Sequence, residues 1–235
     1  MQRTTILLAC AAFGVFGGTA SAVTVAANNN IYGAGFASAP AGNLPTQVSV
    51  GSGQYVTFAI TGGSNACGLT WCISYDGNHF NDPDGFGAAS DEVINAANSI
   101  SAISGYHAGF LAGVFESGTP SGSAPVSLSF PDAASTSFAT LSPLIDQTFF
   151  IGDGLTGDNT GSVQQFTVPT GATALYLGYA DACGYHGDPN GCYSDNAGTL
   201  EVAVSEVSNA PEPATTALIG LGLAALGLAR RKPRR

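Results

Sequence analysis

The sequence predicts an all-β fold, an antiparallel β-sandwich or barrel with one short helical insert. Three observations favour it. Apolar residues alternate with polar ones in short runs, turn residues separate the runs, and 32 of the 235 residues are glycine. Strands this short, divided by glycine and proline turns, are typical of sandwiches. The candidate strands are residues 48–60, 69–75, 109–116, 147–151, 162–168, 174–180 and 198–207.

One segment shows a helical pattern instead of alternation. Residues 91–103 follow Ser90, a candidate N-cap, and place Asp91 and Glu92 in the first turn, so we predict the helical insert there. Residues 117–142 are rich in Ser, Ala and Pro and are predicted to form a long loop with a candidate strand at 126–130. Such a connection is either functional or a flexible insert, and its composition leaves both open.

The chain begins with features of a secretory signal. Arg3 precedes an apolar run over residues 6–16, and the small residues Ala20, Ser21 and Ala22 follow. This order predicts a signal peptide over residues 1–22, since the run is too short to span a bilayer. Cys10 is expected to leave with it, although a lipobox at Cys10 is an alternative.

The end of the chain carries three features in order. Pro211, Glu212 and Pro213 precede an apolar stretch at 214–229, and basic residues fill 230–235. Residues 210–235 resemble the bacterial PEP-CTERM sorting tail. The resemblance implies cleavage near Pro211 to Pro213 by an exosortase and delivery to the cell surface or an exopolysaccharide matrix. The basic end is expected to stay in the cytoplasm. A plain tail anchor is the alternative.

The charge distribution limits the partners of the segment between these ends. None of the six Lys and Arg lies within residues 23–209, whereas 15 of the 16 acids do. Contacts to phosphates depend on the cationic residues that are missing, so nucleic acid is excluded as a partner. The membrane is contacted only through the sorting tail before processing. Cations and neutral ligands are favoured, although acidity also keeps a secreted protein soluble.

Four cysteines remain after removal of the signal, and an even number in an exported protein favours disulfides. Three connectivities are allowed. We favour the local pairs Cys67 with Cys72 and Cys183 with Cys192. A zinc site is the alternative, but neither spacing is C-x-x-C and an oxidising compartment disfavours free thiolates.

Oxygen-bearing side chains lie on both sides of one loop near the end of the domain. Asp181 follows a predicted buried strand, and Asp195 with Asn196 precedes the next. If these strands are neighbours in a hairpin, the side chains converge at one loop. Calcium takes six to eight oxygen ligands at flexible geometry. The sequence therefore predicts a calcium site here.

The same region resembles the calcium-dependent galactophilic bacterial lectins of the PA-IL type. The correspondence runs through Ile151-Gly152-Asp153, the Pro169 turn, Asp181 and Asp195-Asn196-Ala197-Gly198, with Ser74-Tyr75 upstream. It implies a jelly-roll or galactose-binding-like sandwich. It also implies that the side chains of Asp181, Asp195 and Asn196 and the carbonyls of Tyr75 and Cys192 bind calcium, which in turn binds a sugar. The loop between Asp181 and Asp195 is longer than the family pattern.

Further residues could line such a site. Asp82 and Asp84 belong to a second acidic patch, and His186 and Asp188 lie in the long loop, so we predict that these four touch the ligand. Turn chemistry alone is an equal explanation for the patch, and the preferred one for the Asp153 to Asp158 turn. Aromatic residues that could stack on a sugar are Trp71, Tyr75, Phe80, Phe86, Tyr185 and Tyr193, although Trp71 and Phe86 favour the core.

No motif of a hydrolase, metalloprotease or nucleotide-binding enzyme is present. Glu92 and Glu116 could form a glycosidase pair, but both lie outside the predicted site. We therefore expect residues 23–209 to form a non-catalytic, calcium-dependent carbohydrate-binding domain of a bacterial surface or matrix protein, with a glycan or exopolysaccharide as partner. The alternative is a structural surface protein in which calcium only stabilises loops.

Overall fold

The computed structural model describes residues 20–52, 54–67, 70–74, 80–86 and 92–207. Strands dominate these residues, which confirms the all-β prediction. The predicted signal up to residue 19, Tyr75 and the tail from residue 208 lie outside the described residues. Within the described part, no helix is long and apolar enough to cross a membrane.

The strands follow one another at short intervals, and each predicted strand segment overlaps an observed one. In chain order they are β1 (Ala20–Ala26), β2 (Thr46–Ser49), β3 (Tyr55–Gly63), β4 (Asn65–Cys67), β5 (Thr70–Ser74), β6 (Phe80–Asn81), β7 (Glu92–Ile94), β8 (Ile103–Gly105), β9 (Leu111–Glu116), β10 (Leu128–Phe130), β11 (Thr140–Leu141), β12 (Thr148–Phe150), β13 (Leu155–Gly157), β14 (Thr160–Val163), β15 (Gln165–Thr167), β16 (Ala174–Tyr179), β17 (His186–Gly187) and β18 (Thr199–Val207). Helical turns lie at Ile31–Gly33, Ala133–Thr136 and Cys183–Tyr185.

Three larger sheets organise these strands. The first has the order β1-β18-β3-β15-β11, the second β12-β9-β16-β2, and the third β10-β8-β7-β17. A hairpin of β13 and β14 and a small β4-β5-β6 sheet complete the strand pairing in the described residues. Most pairs are antiparallel, as predicted, but β10 with β8, β11 with β15, and β17 with β7 are parallel.

The second sheet is buried on both of its faces. Along β9, Leu111 and Phe115 join the core shared with the first sheet, whereas Ala112 and Val114 join a second core shared with the third sheet. Successive strand residues point to opposite faces, so one apolar strand can serve both cores. The layers are therefore three, and every residue of β9 is buried.

The predicted helix at residues 91–103 is wrong. β7 and β8 form an antiparallel hairpin there, with Val93 opposite Ser104. Asn98 and Ser99 occupy the turn with positive φ of 52° and 62°. Two left-handed residues form the type of turn that matches the twist of a hairpin. The apolar spacing that resembled a helix instead buries Ile94 and Ile103 in the second core.

The observed α-helix is a single turn elsewhere in the chain, at Ala133–Thr136. It lies in the segment predicted to be a long loop, together with β10 and β11. Asp132 caps it, because its carboxylate accepts from the Ser135 backbone N–H and the Ser135 hydroxyl accepts from the Asp132 N–H. The segment is thus more ordered than its composition indicates.

Candidate functional site

The structure brings Asp181 and Asn196 together, as predicted for the calcium site. The Asn196 side-chain amide donates to the Asp181 carboxylate at 2.9 Å and to the Ala27 carbonyl at 3.3 Å. Both side chains are buried. Asn196 Oδ1 is buried and has no hydrogen-bond partner among the residues that the structure describes. The pair is therefore held by its own hydrogen bond and keeps one amide oxygen available.

The other predicted calcium ligands are not placed beside Asp181 and Asn196 by any described contact. Asp195 is exposed, and Cys192 lies in a left-handed conformation with φ of 58°. Tyr75 lies outside the described residues. The expected hairpin between the two strands is also wrong, since β16 belongs to the second sheet and β18 to the first. The connecting loop crosses between sheets, which brings Asn196 to Asp181 but leaves Asp195 at the surface.

We call the connection between β16 and β18, residues 180–198, the crossing loop. Tyr193 anchors this loop through buried hydrogen bonds. Its hydroxyl donates to the Tyr179 carbonyl at 3.2 Å and accepts from the Asp181 backbone N–H at 2.9 Å. The ring is 1% exposed, so the expected stacking of Tyr193 on a sugar is wrong. Burial raises the pKa of its phenol well above the usual value, and Asp181 adds to the shift. Tyr193 therefore positions the end of β16.

The predicted disulfide between Cys183 and Cys192 is present in the crossing loop, with the Cα atoms 5.1 Å apart. Cys72 is also disulfide-bonded, whereas the side chain of its expected partner Cys67 lies outside the described part.

His186 and Asp188 are exposed in the crossing loop, and the Asp188 carboxylate accepts from the Asn95 side chain at 2.7 Å. These contacts tie the loop to the third sheet.

A different group of carboxylates converges on one point. Asp82, Asp84 and Asp158 each present an oxygen, and these oxygens lie within 4.8 Å of one another; we call these residues the acidic cluster. Asp82 and Asp84 follow β6, and Asp158 lies in the turn between β13 and β14. Two segments more than 70 positions apart thus form the acidic cluster.

Backbone hydrogen bonds hold the two segments in place. Asp84 Oδ1 accepts from the Asp153 N–H at 3.0 Å, and Asp82 Oδ1 accepts from the Asp84 N–H at 3.1 Å. Asp153 in turn accepts from the N–H groups of Leu155 and Asn159, each at 2.8 Å. The predicted turn chemistry of Asp153 is therefore confirmed, and it fixes the hairpin that carries Asp158.

Gly152 permits the close approach of these segments. Its φ is +61°, and a β-carbon at this position would collide with the Asp84 carboxylate. Only glycine adopts this backbone conformation readily, and only glycine leaves the carboxylate its space.

The electrostatics of the acidic cluster are unfavourable when its carboxylates are ionised. Burial and the nearby Asp153 raise the pKa of Asp84 to about 8. Burial and the nearby Asp158 raise the pKa of Asp82 to about 6. Residues 23–209 contain no Lys or Arg to compensate. A divalent cation would remove the repulsion, because carboxylate oxygens are the ligands that calcium prefers.

Two rings lie beside the acidic cluster. Tyr106 and His107 stack with their centroids 3.8 Å apart, and His107 Nδ1 lies 3.4 Å from the Asp84 carbonyl oxygen. Burial lowers the pKa of His107. The cavity that they line with Asp84 and Asp158 measures about 100 Å³, less than ligand pockets of about 300 Å³ or more. The space suits an ion with its water rather than a sugar.

The sequence predicts the two halves of the acidic cluster as separate features. Asp82 and Asp84 are predicted to touch a ligand, whereas local hydrogen bonding explains the Asp153 to Asp158 turn. No motif indicates that Asp158 meets Asp82, because the pairing depends on how the β13–β14 hairpin folds back over the loop. The excess of acids without cations was the one available signal.

The comparison with protein-family models finds the PEP-CTERM protein-sorting motif at residues 209–235. The search of curated proteins and the search of solved structures gave no match, so neither supports the lectin resemblance. The chain carries a PEP-CTERM sorting motif, which indicates an exported surface protein that an exosortase processes.

Proposed function

We propose that this exported surface protein binds calcium at the acidic cluster and that the ion stabilises the loops around it. The observation that carries the proposal is the convergence of Asp82, Asp84 and Asp158 in a segment, residues 23–209, that contains no Lys or Arg. Calcium would link the loop after β6 to the β13–β14 hairpin. The protein then acts as a structural component of the surface or matrix, and extracellular calcium is its cofactor.

The donor set suits calcium better than a transition metal. The acidic cluster offers oxygen ligands alone, and His107 is nearby without belonging to it. Calcium accepts six to eight oxygens, so water or backbone carbonyls would complete its coordination. Asp158 is exposed, which leaves room for water. Extracellular calcium sites of this kind have dissociation constants of about 10⁻⁴ to 10⁻³ M.

Calcium-dependent carbohydrate binding at the crossing loop is the second candidate. The unpartnered, buried Oδ1 of Asn196 beside Asp181 favours it, because an amide oxygen in that position can accept a metal ion. A glycan or an exopolysaccharide of the matrix would then be the partner. In this candidate Asp195 and the carbonyls of Tyr75 and Cys192 complete the metal site.

Two charge-matched variants distinguish the candidates. Calcium is titrated calorimetrically into the chelator-treated, full-length protein and into Asp158→Asn and Asp195→Asn. Each variant removes one negative charge from an exposed position. The first candidate predicts that Asp158→Asn weakens calcium binding at least tenfold and that Asp195→Asn leaves it unchanged.

Weaker calcium binding in Asp195→Asn with unchanged binding in Asp158→Asn supports the second candidate. In that case calcium-dependent retention on a glycan array follows as the test of sugar binding. A wild-type protein that shows neither binding heat nor thermal stabilisation in millimolar calcium rules out both candidates.

A further inference from the structure

A groove that the acidic cluster does not line runs along the β13–β14 hairpin. This groove lies between the hairpin and residues 58–60 of β3 and has a volume of about 330 Å³. Trp71 and Val163 contribute apolar surface, and Asp153 and Asn159 contribute polar groups. The volume falls within the range of ligand pockets, roughly 300–1,000 Å³. None of the acidic cluster residues lines it.

Two apolar side chains that line this groove are exposed to solvent. Trp71 is 37% exposed and Val163 is 54% exposed, although both are large apolar residues. Gly63 lies next to the first side-chain atom of Trp71, since a β-carbon at Gly63 would approach the Trp71 Cβ to 3.0 Å. The missing side chain at Gly63 therefore lets Trp71 lie against β3. Trp71 lines the groove with part of its side chain exposed.

The polar side retains hydrogen-bonding capacity. Each carboxylate oxygen of Asp153 accepts one backbone N–H, and an ionised carboxylate oxygen can accept a second donor. The amide of Asn159 donates to Asp158 through Nδ2, which leaves its Oδ1 as an acceptor in an exposed side chain. The groove thus combines one aromatic surface with acceptors for hydroxyl groups.

We propose that this groove binds a neutral carbohydrate unit. A sugar ring has an apolar C–H face, which suits the indole of Trp71, and a rim of hydroxyls, which suits Asp153 and Asn159. Anionic ligands are disfavoured, because Asp153 lines the groove and residues 23–209 contain no Lys or Arg. The binding of the sugar does not require calcium, so the proposal is independent of the acidic cluster.

Trp71 is the single tryptophan of the chain, so its fluorescence reports on the groove alone. The full-length protein, in a detergent without a sugar headgroup, is titrated with cellotetraose, laminaritetraose, mannotetraose and galactotetraose, each with calcium and with a chelator. We expect a saturable shift of Trp71 emission with at least one oligosaccharide in both conditions. An unchanged spectrum with all four overturns the proposal.

Two matched variants test the location. Val163→Glu places a charged side chain at the groove, whereas Val126→Glu makes the same change at a position that is 73% exposed and outside the groove. Val163→Glu is expected to weaken the response at least tenfold, and Val126→Glu to leave it unchanged. An equal response of both variants overturns the proposal. So does emission that depends on protein concentration alone, which would indicate a second copy of the chain as the occupant.

Discussion

The backbone N–H of Asp153 donates a 3.0 Å hydrogen bond to the carboxylate of Asp84, 69 positions earlier in the chain. This bond joins the loop after β6 to the base of the β13–β14 hairpin. The hairpin contributes Asp158 to the acidic cluster, and other residues of the same hairpin line the groove of Trp71. Protonation and calcium binding at Asp84 should therefore both affect the stability of the hairpin.

Stability without calcium should fall as the pH rises. The pKa of Asp84 is raised from 3.8 to about 8, so the folded protein retains a proton that the unfolded chain releases. The free energy of unfolding then decreases between pH 3.8 and about 8, by at most about 1.4 kcal/mol per pH unit. Solvent screening reduces this value. Thermal unfolding in chelator across this range measures the slope.

Calcium should reduce this pH dependence, because the ion stabilises the ionised form of Asp84. Asp84→Asn should also reduce it in chelator, since the amide does not titrate. A slope that neither calcium nor Asp84→Asn changes would contradict the assignment to the acidic cluster.

Glu116 should produce a second pH dependence that calcium does not affect. Burial and a hydrogen bond with Asp146 raise its pKa from 4.5 to about 10. The protonated carboxyl is stabilised in the fold, so the free energy of unfolding falls as the pH rises from 4.5 to about 10. Glu116→Gln should flatten the unfolding profile above pH 8 in saturating calcium. An unaltered profile would exclude Glu116 as its source.

The disulfide between Cys183 and Cys192 should stabilise the crossing loop. It closes a short loop, with a sequence separation of 9, and the chain-entropy model gives about 2–3 kcal/mol for such a length. The double variant Cys183→Ser, Cys192→Ser is expected to lower the free energy of unfolding by this amount. Urea unfolding under oxidising conditions keeps the disulfide of Cys72 intact in both proteins. Identical midpoints would show that the loop is held by its other contacts.

Loss of the hydroxyl should lower the free energy of unfolding at one buried tyrosine, Tyr193, and not at another, Tyr179. Tyr193→Phe leaves the Asp181 N–H and the Tyr179 carbonyl without their partner, which costs about 1–3 kcal/mol. The Tyr179 hydroxyl is buried and finds no hydrogen-bond partner within the described part of the chain, so Tyr179→Phe should be neutral or stabilising. Both variants remove one oxygen, and chemical denaturation compares them directly. Equal destabilisation would contradict the positioning role of Tyr193.

Processing should depend on the Pro-Glu-Pro motif within residues 209–235. Glu212→Ala is expected to keep the protein uncleaved in the membrane fraction of cells that contain an exosortase. Glu206→Ala removes the same side chain outside the matched residues and serves as the control. Immunoblotting of membrane and surface fractions measures both. Release of Glu212→Ala at the wild-type level would assign the processing to another determinant.

The strands could be predicted because alternation is a local property. β9 and β16 stand out in the sequence since both are rich in apolar residues. The hairpin of β7 and β8 could not be recognised from the same rule. Its apolar residues are spaced as in a helix, and the decisive signal was the Asn98-Ser99 turn. Two left-handed residues override the periodicity of the residues around them.

The candidate site was predictable only in part, because it depends on contacts between distant segments. Asp181 and Asn196 were expected to meet and do meet, although their strands lie in different sheets. Asp82 and Asp158 were not expected to meet, since the hairpin between β13 and β14 determines that contact. The exposure of Trp71 was also unexpected. Trp71 packs next to Gly63 of another strand, and no local pattern in the sequence indicates this contact.

The pairing of β1 with β18 also determines where the crossing loop lies in the domain. Ala20 lies opposite Ser205, so the beginning of β1 and the end of β18 lie at the same pole of the domain. Asn196 and Asp181 lie beyond the other end of these strands, near Ala27. The crossing loop therefore lies at the pole opposite to the one where β1 begins and β18 ends.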